Sequence, residues 1–272
     1  MQTPQPLTDL SALERNRARA RPDAMFLHRA VIDDVHDRLM MVNRRFTKPA
    51  IVTPYPEIWR DALPDAVVIT DSDTLTLEPG QHDLVIHALC LHWSNDPVGQ
   101  MIQCRRALKP DGLMIAVLFG GQTLVELRAV LSEAEVASTG GLSPRIVPMG
   151  EIRDLGGLLQ RAGFAMPVAD STLTKVIYQS TRHLMHDLRA MGESNALAAR
   201  LRKPTRKSVF EKVARLYTQH FGDQEQNVPA TFEMVCLTGW APDSSQPQPL
   251  RPGSAKQRLA DALAVTETKL SD

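Results

Sequence analysis

"HDLVIHALCLHWSNDPVGQMIQCRRALKPDGLMIAVLFGG", residues 82–121, decides the fold. It opens on an apolar, β-branched run, Asp83–Leu91, of the kind that forms a strand buried on both faces. Asp96 and Pro97 then start an amphipathic helix, the first as cap and the second in the first turn. Lys109-Pro110-Asp111-Gly112 stops that helix. "GLMIAVLFGG" is a second buried strand, ended by Gly120-Gly121. Strand, helix and strand joined by short connections predict a parallel pair with the helix across one face.

The same alternation extends in both directions. Upstream, Ala50–Val52 and Ala66–Thr70 are strand candidates, with a short helix over Pro56–Leu63. Residues 8–45 read as helix broken near Arg21-Pro22, with apolar residues from Met25 to Met40 at helical spacing. Downstream come a helix over 122–138, a loop, a helix ending at Gly163 and a strand within 167–180. Residues 181–220 are helical again, and "ATFEMVCLTGW" closes as a strand. The organisation is a helical N-terminal arm over 1–46 without chemistry of its own, a domain over 47–240 and a flexible tail over 241–272. Within the tail, 254–265 has the spacing of a small amphipathic helix.

A chain of 272 residues that is 43% hydrophobic can bury one substantial core. Its 31 basic and 31 acidic side chains cancel, which leaves no electrostatic footprint for nucleic acid or an acidic membrane. No run is long and apolar enough for a signal peptide or a membrane span. Cys90, Cys104 and Cys236 are far apart and form no CxxC pair, so they read as buried reduced thiols in a cytoplasmic protein. The Arg-rich stretch Arg15–Arg21 reads as a solvated helix face, with a targeting or anionic-ligand element as its other reading.

"DLVI", then "LHW" with Asn95-Asp96 just beyond, then "RRALKPDGLMIAV" resemble the core of class I S-adenosylmethionine (SAM)-dependent methyltransferases. "GGQTLVELR", "GGLSPRIVPMGEIRDLGGLLQRAGF" and "HLMHDLRAMGESNAL" are similar to one branch of that superfamily. The branch lies near the biotin-synthesis malonyl-carrier methyltransferase and a mitochondrial complex I assembly factor with arginine hydroxylase activity. The resemblance implies an α/β, Rossmann-like, mostly parallel sheet with an antiparallel last strand, "FEMVCLTGW". It also implies a helical insert, 181–220, over the active-site mouth. The implied cofactor is S-adenosylmethionine, and the implied substrate is a small acid or a protein side chain. The alternative is a non-catalytic assembly factor that binds a protein partner on the same fold.

In that family the first strand runs into a glycine-rich turn whose bare backbone N–H groups carry the cofactor. Here the matching residues are Thr53-Pro54-Tyr55-Pro56-Glu57. Two prolines remove two donors and fix two φ angles. Tyr55 adds bulk and Glu57 a negative charge, so weak or absent SAM binding is expected. Only 33 positions separate Ile51 from Leu84, and one βαβ unit takes roughly 30 residues. The sheet is therefore shortened between strands 1 and 4. Asp71 then ends either strand 2, as the acid that bonds the ribose hydroxyls, or strand 3, beside the adenine. The spacing to "DLVI" favours strand 3.

The candidate cofactor residues are Thr53, Tyr55, Asp71, Asp73, Leu75, His87 and Leu89. His87, Leu89, His92 and Trp93 lie at or just past the carboxyl end of the fourth strand, where open α/β sheets bind ligands. His92 is the candidate general base, with packing of the turn as its other reading. His87 also reads as a satisfied core histidine. Trp93, Arg145, Arg189 and Asn195 are candidates for substrate or partner, Arg145 through its two-pronged donor to a carboxylate. Arg189, Glu193 and Asn195 share the "DLRAMGESNAL" signature and line the cleft mouth or form a helix-end network. Gly120-Gly121 either admits a ligand closely or is a bare turn. His183 and Asp187 share a helix face, but His186 lies about 100° away, and no metal site is assigned.

Overall fold

The centre of the sheet is β3 (His82–Ala88), which pairs in parallel with β1 (Pro49–Val52) on one side and β4 (Leu108–Phe119) on the other. Their β-branched residues, Ile51, Val52, Val85, Ile86, Ile115 and Val117, are buried because helices cover both faces. The computed structural model describes residues 5–247. Residues 1–242 and 243–272 are separate units. The amphipathic segment expected at 254–265, and the tail beyond Pro247, lie outside the described residues.

The six strands run in the order β2-β1-β3-β4-β6-β5, with β2 at Val67–Ile69, β5 at Ala165–Tyr178 and β6 at Val228–Trp240. β6 is antiparallel to both β4 and β5, so one strand opposes five. This is the mostly parallel sheet with an antiparallel last strand that the resemblance implies. β2 pairs directly with β1, which is the place of strand 2 in a doubly wound sheet of order 3-2-1-4-5-6. That overturns the register favoured by spacing. The second crossover is what is missing, and Asp71 follows the strand beside β1.

α4 (Pro97–Ala107) is capped by Asp96, which accepts from Gly99 N at 2.8 Å. The helix stops at Ala107, earlier than expected. Lys109–Gly112 lies inside β4 as an irregular stretch, with Asp111 at φ 58° and a register shift against β3. In the arm, α1 (Leu10–Arg17) and α2 (Phe26–Val42) flank a 3-10 turn at Pro22–Ala24, the break expected at Arg21-Pro22, and after β1 comes α3 (Pro56–Trp59), shorter than the helix expected to Leu63. α2 buries Leu27, Val31 and Val35.

After α5 (Val125–Thr139) and α6 (Ile152–Arg161) come the two helices of the insert, α7 (Thr181–Ala190) and α8 (Lys207–Phe221). Residues 191–206, expected to be helical, are not. Gly192 sits at φ 79°, which ends a helix, and Pro204 cannot continue one. This irregular segment is tied to the N-terminal arm. Asp9 N donates to Ala196 O at 2.8 Å, and Asn16 Nδ2 to Ser194 O at 2.9 Å. Among the described residues, no helix is long and apolar enough to cross a membrane.

Candidate functional site

The connections from β1 lead to β2 on one side, while β3 and β4 lie on the other, so the chain switches direction between β1 and β3. Beyond the carboxyl ends of these strands, where such sheets bind ligands, lies a cavity of about 670 Å³. Its walls include Arg17, Pro54, Tyr55, Asp71, Cys90 and Trp93. The N-terminal arm thus contributes to the cleft.

Arg17 Nη1 donates to both oxygens of Asp71 at 2.9 Å, and each side chain is 14% exposed. Burial opposes the Arg17 charge, but Asp71 outweighs it, and the guanidinium pKa rises. Arg17 Nη2 is buried without a hydrogen-bond partner among the described residues. Tyr55, itself buried, donates its hydroxyl to Met191 O at 2.8 Å and so joins the first-strand loop to the insert. Burial, then the nearby Glu193 carboxylate, raise its phenol pKa.

A sulfonium nucleoside with a carboxylate tail needs free backbone N–H groups at the first turn and an unpaired acid for its ribose. Thr53 N donates to Ile69 O at 3.0 Å, and Tyr55 N lies 3.3 Å from Thr53 Oγ1. Pro54 and Pro56 have no N–H. Asp71 is already held by Arg17. The residues present therefore do not fit S-adenosylmethionine.

Below the cavity, His87 Nε2 is 2.8 Å from Gln100 Oε1, and Gln100 Nε2 donates to Ser72 O at 2.6 Å. The amide orientation leaves His87 Nδ1 to face the Cys90 thiol at 3.4 Å. Burial lowers the His87 pKa and raises that of Cys90. His87 is a satisfied core histidine. Thr53, Leu75, His87 and Leu89 stand behind the cavity wall: Leu75 and Leu89 pack in the core, and Leu75 N bonds Gln103 Oε1. Tyr55, Asp71, Asp73 and Trp93 line the cavity itself.

Trp93 also borders a second, more apolar pocket of about 330 Å³, walled by Phe119, Leu127, Leu188 and Phe232 and reaching Glu193. Trp93 Nε1 donates to Glu193 Oε2 at 2.8 Å, and His92 Nε2 lies 3.5 Å from the same oxygen. Burial pushes the Glu193 carboxyl up, but His92, Trp93 and Arg17 outweigh it, and its pKa falls. Glu193 Oε1 has no hydrogen-bond partner among the described residues. The His92 ring packs on Phe119, centroids 4.8 Å apart, and its Nδ1 is buried without a hydrogen-bond partner among the described residues.

Arg145 borders this pocket, but Glu135 holds it, with Nη2 2.6 Å from Oε1 and Nη1 3.0 Å from Thr205 Oγ1. Its fork is not free for a substrate carboxylate. Asn195 donates to Pro144 O at 2.9 Å and accepts from Leu197 N at 3.0 Å, a helix-end network. Arg189 stands exposed at the mouth. A Cβ on Gly120 would meet the Glu233 carboxylate, so that glycine makes room for a side chain of β6. His183 and Asp187 bond Ser180 and Tyr178, and His186 approaches Arg182. Among the described residues, no three His, Cys, Asp or Glu are placed to hold one metal.

Arg17 and the Trp93–Glu193 pair are what sequence reasoning missed in this site. The Arg-rich run was the signal for the first, yet its partner is 54 residues away.

A methyltransferase-domain family model matches residues 40–116. "Arginine-hydroxylase NDUFAF5, mitochondrial" of Danio rerio is 38% identical over 203 residues, 75% of this chain and 63% of that protein. "Malonyl-[acyl-carrier protein] O-methyltransferase" of Xylella fastidiosa (strain M23) is 32% identical over 181 residues, 66% of this chain and 59% of that protein. The chain thus spans about 60% of the length of these relatives. Among solved structures, the YcgJ protein of Bacillus subtilis aligns at a TM-score of 0.47 and 8% identity, covering 76% of this chain and 99% of that chain. The strand order, the antiparallel last strand and these sequence matches define a class I methyltransferase-fold protein. Its sequence is similar to the branch of that superfamily that holds the NDUFAF5 and malonyl-carrier relatives.

Proposed function

We propose that this chain is a protein-binding factor on a methyltransferase fold, which takes an arginine side chain of a partner protein into the pocket beside Glu193. The observation that carries this reading is Glu193, a largely buried carboxylate that lines an apolar pocket and whose Oε1 has no hydrogen-bond partner among the described residues. A carboxylate held largely out of water gains from a further charged donor on its second oxygen, and a planar guanidinium supplies directed N–H donors. Leu127, Leu188 and Phe232 suit the methylene stem. Arg145 does not compete, because Glu135 holds it. That NDUFAF5 relatives carry the name arginine hydroxylase supports an arginine over a malonyl group. Three buried, unpaired thiols fit a reducing compartment such as the cytoplasm.

Calorimetry with N-acetyl-arginine amide and its norleucine counterpart tests the reading. Saturable binding of the arginine compound, lost in Glu193→Gln and absent for norleucine, is the expected result. Equal binding by the variant would overturn it.

A second reading is S-adenosylmethionine-dependent methyl transfer, favoured by one observation: Asp71 stands beside β1, where a ribose acid is expected. Micromolar SAM affinity in the same calorimeter would establish it over the first.

A further inference from the structure

The chain is neutral as a whole, yet residues 181–220 carry nine Arg and Lys against three Asp and Glu. The positive charge of the molecule is thus concentrated on the insert. α7 and α8 pack against one another and leave a groove of about 420 Å³ between them. Its floor is apolar, made by Met185, Phe210 and Ala214, and Phe210 is 40% exposed. Arg182 and Arg189 of α7 and Lys207 of α8 rim it, with one acid, Glu211, beside Lys207. Spacings of three and four residues put Arg182, Met185 and Arg189 on one helix face and Lys207, Phe210 and Ala214 on the other.

The compensation of these charges is incomplete. Asp9 pairs with Arg200 and Arg202, and Glu211 with Lys207. Arg182, Arg189, Lys203, Arg206, Lys212 and Arg215 have no acidic side chain within ion-pair distance among the described residues. Thr181 lines the groove, and its Oγ1 is buried without a hydrogen-bond partner among the described residues. Met185, Arg189 and Phe210 also border the Glu193 pocket, so the groove and that pocket share a wall.

We infer that the α7–α8 groove docks an acidic, amphipathic helical segment of a protein partner. An apolar stripe on such a segment covers Met185, Phe210 and Ala214, in the helix-in-groove mode. Its Asp and Glu residues face Arg182, Arg189 and Lys207, where charge complementarity sets orientation and association rate. A lipid surface is a poorer match, because the apolar residues lie in a groove between two helices instead of on an outward face. This inference rests on the reading that a partner protein is bound here, but on different residues from those that hold the arginine.

The test is fluorescence anisotropy of the full chain with a labelled synthetic peptide bearing Leu and Phe at helical i, i+3, i+4 and i+7 positions and Glu elsewhere. Saturable binding that weakens with added salt is expected. It should fall at least about tenfold in the triple variant R182E/R189E/K207E, where three charges are reversed. Phe210→Ser, which leaves every charge in place, should weaken it too. A peptide of the same composition with its order scrambled should not bind. The double variant R182E/K207E, whose residues do not border the Glu193 pocket, should weaken peptide binding yet keep the binding of N-acetyl-arginine amide, so the two readings fail separately. The inference is overturned by the absence of saturation or by equal binding to the triple variant. It is also overturned if anionic vesicles bind in place of the peptide, or if the same substitutions dissolve a dimer of this chain. Binding that appears only after removal of residues 248–272 would equally overturn it.

Discussion

Arg17 grips Asp71 through both carboxylate oxygens, so the first helix of the chain is fastened to the end of the strand beside β1. The pair is too buried to be a surface ion pair of negligible worth, at 14% exposure on each side. Removing one partner leaves a desolvated charge alone. Arg17→Ala should therefore lower the unfolding free energy by about 3 kcal/mol. Replacing both with apolar residues of similar size, as in R17M/D71L, should recover most of that loss. Urea denaturation of the three proteins decides it, and an Arg17→Ala protein as stable as its parent would show the pair to be incidental.

Tyr55 and Gly192 are coupled in the same way. A Cβ at Gly192 would run into the Tyr55 hydroxyl, and the glycine sits at φ 79°. Gly192→Ala should cost about 1 kcal/mol from the backbone alone and more from displacing the phenol. Tyr55→Phe should cost about 1–2 kcal/mol, because Met191 O loses its donor. The double variant G192A/Y55F should be more stable than the sum of the two losses predicts. Strict additivity in thermal melts would mean that the two residues do not meet.

These contacts explain which parts of the molecule were legible in the sequence. Residues 82–121 were, because strands buried on both faces read as unbroken apolar runs, and because Asp96-Pro97 is a local helix-start signal that acts within three residues. The sheet's antiparallel last strand followed from the resemblance. Arg17 was not legible: a charge run looks alike whether it faces water or a carboxylate 54 residues on. Neither was the role of Glu193, whose partner Trp93 is 100 residues away. The position of β2 was misjudged because chain length limits how many crossovers fit without saying which one is lost. The break over 191–206 depended on Gly192 and Pro204, whose local effect was masked by the helical spacing on either side.

His28 gives the fold a defined acid sensitivity. Burial drives its pKa down to about 4, and its Nδ1 accepts from Trp59 Nε1 at 3.0 Å. Below its ordinary value of 6.5 the unfolded chain takes up a proton that the folded chain refuses. Stability is therefore full above about pH 6.5 and declines as pH falls towards 4, by about 3 kcal/mol in total. His28→Gln keeps an acceptor for Trp59 without titrating. The slope of stability between pH 6.5 and 4 should be shallower in the variant, measured by urea midpoints at several pH values. Parallel slopes would place the titration elsewhere.

Glu193 makes the opposite kind of demand on the same experiment. Its folded pKa lies below the usual 4.5, so its ionised form stabilises the fold above that value. That contribution is lost as pH falls through the depressed folded value. Glu193→Gln still accepts from Trp93 Nε1 and should cost about 1 kcal/mol near neutrality, whereas Glu193→Leu strands the indole N–H and should cost about 2–3 kcal/mol. The gap between Glu193→Gln and the parent should narrow below pH 4.5, because the parent's carboxylate is then becoming neutral too. The gap between Glu193→Leu and Glu193→Gln should not, since it reflects a neutral hydrogen bond. If instead the gap between the parent and Glu193→Gln stays constant on acidification, the charge of the carboxylate contributes nothing to the fold and the Trp93 hydrogen bond carries the whole effect.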